Sequence, residues 1–141
     1  MTPSQKRFKI VSILILFVAL LQVVGGVFLL VSSPLAAGMR VSLGGDTAYD
    51  GAIAAEVIGV LALVVGLYCF AVGVTGARAA NNPRATGKFN MLAVVMVLAS
   101  LVQVGLGVTT GQVGWVEVLL AVLGVVAIVF GSKAHSEALD R

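Results

Sequence analysis

The chain reads as an all-α integral membrane protein, a four-helix transmembrane bundle made of two duplicated helical hairpins. Three observations lead there. Of 141 residues, 60% are hydrophobic and only 11% charged, with a mean hydropathy of +1.11. Soluble domains carry roughly 25% charged residues, so too little polar side chain is present to cover a water-facing surface. Disorder needs the opposite balance, low hydrophobicity with high charge. Second, the apolar residues gather into four segments, each near the ~20 residues that cross a ~30 Å hydrocarbon core as a helix. Third, the basic residues flank those segments instead of forming a patch, as membrane topology requires. Barrel strands would alternate apolar and polar residues, and nothing here alternates.

The first segment, about 10–31, contains no charge. It is longer than the roughly 7–15 apolar residues of a cleaved signal peptide, so a retained helix is expected. Residues 32–51 follow as a loop of turn formers, in which 39–49 suit either a hairpin around Gly44-Gly45 or a short surface helix. The second segment, about 52–74, carries Glu56 near its start, and Thr47-x-x-Asp50 before it has capping-box spacing. Residues 75–90 are polar and basic, with the helix breaker Asn82-Pro83, and are expected to form a loop. The third segment, about 91–108, is uncharged. A short turn around Thr110-Gly111 leads into the fourth, about 114–131, with Glu117 near its start. Thr109-x-x-Gln112 again has capping-box spacing. Residues 132–141 read as a charged tail.

Four crossings put Lys6, Arg7, Lys9, Arg78, Arg84, Lys88, Lys133 and Arg141 on one side and only Arg40 on the other. The positive-inside rule then places both termini in the cytoplasm, with residues 32–51 and 109–114 outside. Nucleic acid is not an expected partner, because topology already accounts for the net charge of +3. Cys69 is the only cysteine, so no disulfide forms within the chain. Tyr49 and Trp115 suit the outer interface.

Sliding the chain over itself by 81 positions lays residues 19–27 on 100–108. Gln22 then falls on Gln103, Gly26 on Gly107 and Ala19 on Ser100. Another offset lays Glu56-Val57-Ile58 on Glu117-Val118-Leu119. Gln and Glu are rare here, so their coincidence indicates a two-helix duplication, a parallel repeat about the membrane normal. Small residues also recur every seven positions: Ser12, Ala19 and Gly26; Gly59, Gly66 and Gly73; Ala93, Ser100 and Gly107; Gly124 and Gly131. Lipid supplies no hydrophobic drive for helix pairing, so close backbone approach at small residues does the work. A seven-residue period keeps one seam facing its partner.

Gln22, Glu56, Gln103 and Glu117 form the candidate polar layer. Each Gln lies about 18 Å into its segment, near mid-membrane. There its amide must find partners, because an unpaired polar group in hydrocarbon costs several kcal/mol. Interhelical hydrogen bonds are the first reading and a substrate or water path the second. Each Glu complements the positive end of its helix dipole; alternatively, the two form a protonatable or cation-binding pair. Asp46 and Asp50 read as helix-start residues, and His135 as a solvated tail residue. Gly87-Lys88 lacks the rest of a phosphate loop. The chain has no His/Cys cluster for a metal, no nucleophile–base pair at membrane depth, no cofactor motif and no family signature.

These residues point away from an enzyme. The expected role is a non-catalytic bundle in the lipid bilayer of the cell membrane, assembling with itself or another membrane protein. The alternative is a small transporter or channel using the Gln/Glu layer.

Overall fold

In the computed structural model, which describes residues 1–42, 45–111 and 114–140, four long helices dominate. They are α1 (Pro3–Ser32), α2 (Gly51–Asn81), α3 (Thr86–Thr110) and α4 (Trp115–Leu139). All four are long and apolar enough to cross a membrane. Consecutive helices are neighbours and α4 returns to α1, so the bundle runs up-down-up-down. One end carries the chain termini and the α2–α3 connection, and with them every described basic residue except Arg40; we call it the basic end. The other carries a small hairpin.

All four helices extend past their apolar segments at the basic end, α3 starting at Thr86 instead of about residue 91. α1 starts at Pro3 instead of about residue 10. Thr2 accepts the Gln5 N–H, Gln5 Oε1 accepts the Thr2 N–H, and Pro3 occupies a first-turn position. That is a capping box with proline where its missing N–H costs nothing. α2 runs to Asn81, into the expected 75–90 loop, because only Pro83, which drives Asn82 out of helical geometry, stops it. A single 3-10 turn (Pro83–Ala85) then connects it to α3. α4 continues to Leu139, so the expected charged tail is helical. Hydropathy reports where lipid ends, and a helix made of Ala, Ser, Lys and Glu continues beyond it.

The loop between α1 and α2 resolves to a hairpin. After a 3-10 turn (Ser33–Ala36), strands β1 (Arg40–Ser42) and β2 (Ala48–Asp50) pair antiparallel, with Val41 opposite Tyr49. Gly44 lies outside the described residues. Asp50, not Thr47, caps α2, accepting the Ala52 N–H at 2.9 Å. At the other hairpin-end turn, α3 stops at Gly111, whose φ of 74° is open to glycine without steric cost. Thr109 bonds back to the Leu106 carbonyl, Gln112 lies outside the described residues, and Gly114 starts α4 without a side-chain cap.

α1 and α2 form the closest pair. A Cβ on Gly26 would stand 2.9 Å from the Gly59 carbonyl oxygen, and one on Gly59 3.0 Å from that of Gly26. Further along, Gly66 faces Val23, Gly73 faces Leu16, and Gly76 faces Ser12 and Phe89. In the second hairpin, Gly124 faces Val97 and Met96, Gly131 meets the Phe8 ring of α1, and Gly107 is buried. The bulky core lies in the basic half: Phe8, Ile15, Phe89 and Met96 are almost fully buried. Phe8 and Phe89 meet edge-to-face at 4.9 Å between centroids. Polar contacts tie that end together. Ser4 Oγ donates to Glu137 at 2.7 Å, and Lys9 donates to Asn81 at 3.3 Å. His135, expected in solvent, instead holds α4 to the α2–α3 turn through the Pro83 carbonyl at 2.8 Å.

Candidate functional site

Large side chains fill the basic half and leave the hairpin half short of volume. There α1 presents Gly26 to the close seam, and α2 presents Ala62 and Val65 to the interior. The result is a cavity of about 220 Å³ lined by all four helices: Gln22 from α1, Ile58, Leu61, Ala62 and Val65 from α2, Gln103 from α3 and Glu117 from α4. Three of the four polar residues expected to share a layer therefore border one space. Their heights along the bundle explain it. Gln22 lies ten residues before the end of α1, Gln103 seven before the end of α3, and Glu117 two after the start of α4. At ~1.5 Å per residue, all three fall within about 15 Å of the hairpin-side helix ends.

Glu56 does not join them. It is exposed, and Ser33 Oγ donates to its Oε1 at 3.3 Å across the α1–α2 turn. α1 continues into the 3-10 turn that supplies Ser33, whereas α3 stops at Thr110 with nothing equivalent. The two Glu residues, matched in sequence, thus have different surroundings.

Glu117 is half-buried in the first turn of α4, with its carboxylate folded back beside Gly114. That position complements the positive helix end and still faces the cavity. Gln22 is half-buried, and its Oε1 is fully enclosed without a hydrogen-bond partner. Gln103 is exposed. Among the described residues, no hydrogen bond joins Gln22, Gln103 and Glu117 to one another, and the interhelical hydrogen bond expected at Gln22 is not made by its Oε1.

Two further spaces adjoin this one. An open surface groove of about 380 Å³ shares Gln22, Ala62 and Glu117 with it and continues past Gly25, Gly26, Phe28, Leu29 and Val116. On the other side, a groove of about 260 Å³ between α2 and α3 shares Val65 and Gln103, and Tyr68, Cys69, Met96 and Ser100 also line it. Sequence reasoning did not single out Tyr68, whose hydroxyl donates to the Leu92 carbonyl at 2.8 Å and ties α2 to α3 below the groove. A phenol inside an apolar run was the available signal, since a buried hydroxyl needs a partner. Asp50 is occupied by the Ala52 and Gly38 amides, consistent with a structural role at the hairpin.

Comparison of the chain with protein-family models, curated proteins and solved structures returns no match.

Proposed function

We propose that the chain is a non-catalytic, multi-pass protein of the cell membrane with both termini in the cytoplasm. It works by assembling with a second copy of itself or with another membrane protein. The orientation rests on the basic residues, which gather where both termini and the α2–α3 turn lie, with Arg40 alone among the described cations at the hairpin. The duplication is supported by burial as well as by letters. At an offset of 81, buried Phe8, Ser12, Ile15, Ala19 and Gly26 fall on buried Phe89, Ala93, Met96, Ser100 and Gly107. At an offset of 61, Gly59, Gly66 and Gly73 fall on Leu120, Ala127 and Ala134, also buried. Larger side chains at those positions account for the looser second hairpin.

The observation that carries the assembly reading is the α2–α3 groove. These are the most loosely joined neighbouring helices, and the groove between them is apolar except for Tyr68, Ser100 and Gln103. Gln103 exposes its amide there, and in hydrocarbon an unpaired amide costs several kcal/mol. A polar side chain on another transmembrane helix relieves that cost. A photo-crosslinking side chain at exposed Ala99, which lines the groove, is expected to capture a second chain in native membranes. Gln103→Leu is expected to weaken the association roughly 3- to 30-fold, the equivalent of ~0.6–2 kcal/mol for an interhelical hydrogen bond. A crosslink to lipid alone, with Gln103→Leu indistinguishable from wild type, would contradict assembly.

A second reading, a small transporter or channel, is favoured by one observation: Gln22, Gln103 and Glu117 border a common cavity at the hairpin end.

A further inference from the structure

We infer that the cavity between Gln22, Gln103 and Glu117 binds a small organic ammonium ion, a cation with N–H donors on an apolar body. This rests on the second reading above, that the polar layer is a working site. Charge comes first. Among the described residues, Glu117 is the only ionisable group lining either this cavity or the adjoining groove. Among the described residues the only cation at this end of the bundle is Arg40, in β1, and it lines neither. A half-buried carboxylate without a counter-charge favours a bound cation.

Hydrogen bonding comes second. Gln22 Oε1 is enclosed and partnerless, and the terminal torsion of a glutamine is broad, so its carboxamide can turn its oxygen toward a donor. Gln103 supplies another carboxamide from the opposite wall. Acceptors on α1, α3 and α4 thus surround one space, which suits a group with several N–H bonds.

Size and wall chemistry come third. A water molecule occupies ~30 Å³, so a cavity of about 220 Å³ is far larger than an inorganic ion needs. Ile58, Leu61 and Val65 make its α2 wall apolar. The adjoining open groove, which Phe28 borders, adds room for an apolar body beyond Glu117.

The test uses the full chain in phosphatidylcholine nanodiscs, with phenethylammonium as probe and empty nanodiscs as background. 2-Phenylethanol, with a neutral hydroxyl in place of the ammonium, serves as the control. Calorimetry is expected to show saturable ammonium binding, with the alcohol about tenfold or more weaker, since hydrogen bonds to a charged group are worth ~1.5–3 kcal/mol. Glu117→Gln is expected to weaken binding by a similar factor, while Glu56→Gln, outside the cavity, leaves it unchanged. If Glu117→Gln lowers the folded yield, Gln103→Leu carries the test, with a loss of roughly two- to tenfold. Binding no greater than in empty nanodiscs, equal binding of the alcohol, or full displacement by equimolar potassium overturns the assignment. So does binding that survives both Glu117→Gln and Gln103→Leu. Liposome flux separates the two readings. Ammonium binding without flux keeps this site and removes transport; proton flux without ammonium binding keeps transport and removes this site.

Discussion

Gly26→Leu and Gly66→Leu are each expected to destabilise the bundle by about 1–3 kcal/mol, the usual cost of overpacking. Gly25→Leu is expected to change stability by no more than about 0.5 kcal/mol. Gly25 and Gly26 are adjacent on α1 and differ only in what they face. Nothing lies within 4 Å of a Cβ on Gly25, whereas one on Gly26 meets the Gly59 carbonyl and Leu63. At Gly66 the Cβ would stand 2.8 Å from Val23 Cγ2 and 3.1 Å from the Val23 backbone nitrogen. The backbone contacts cannot be relieved by turning a side chain, so α1 and α2 must separate. Thermal unfolding in detergent, followed by helical circular dichroism, compares the three variants. Equal melting temperatures for Gly25→Leu and Gly26→Leu would show that the seam does not hold the hairpin.

Phe89→Ala is expected to cost about 3–4 kcal/mol, and Met91→Ala, on the exposed side of α3, almost nothing. Phe89 is 1% exposed and Met91 71%. The Phe89 ring meets Phe8 and lies against Gly76, while Phe8 reaches Gly131, so this pair joins all four helices. In a soluble core the loss would include transfer from water. Between lipid-facing helices that contribution is small, because lipid is as apolar as the interior. What remains is the empty volume, about 100 Å³ at ~24 cal/mol per Å³, together with ~0.5–1.5 kcal/mol for the ring pair. Unfolding of the two variants under identical detergent conditions measures the difference, and similar losses for both would contradict the position assigned to this core.

The four helices were readable because bilayer thickness imposes a length that a run of apolar letters reports. The buried small residues were readable for a related reason: close approach in lipid requires Gly, Ala or Ser, and the seven-residue spacing marks their face. Helix ends were not, because hydropathy falls at the lipid boundary while all four helices continue past it. The signal at the start of α1 was present in Thr2-Pro3-Ser4-Gln5 and lay outside the apolar run. The 39–49 segment stayed ambiguous because hairpin and surface helix suit the same turn formers, and the choice depends on Gly51, whose N–H meets the Met39 carbonyl at 2.7 Å. Gln22, Gln103 and Glu117 were brought to one cavity as their heights implied. Glu56 separated from them because height alone does not fix direction around a helix, and Ser33 offered it a nearer partner.

Cysteine accessibility in intact cells tests the membrane-spanning account. In a Cys69→Ala background, Ser42→Cys places a thiol on the exposed hairpin, and Gly87→Cys places one beside the α2–α3 turn, where nothing lies within 4 Å. Both positions are open to reagent in the folded protein, so only the membrane distinguishes them. An impermeant maleimide is expected to label Ser42→Cys in intact cells and Gly87→Cys only after permeabilisation. The reverse pattern would invert the topology, and labelling of both in intact cells would mean that α2 does not span the membrane.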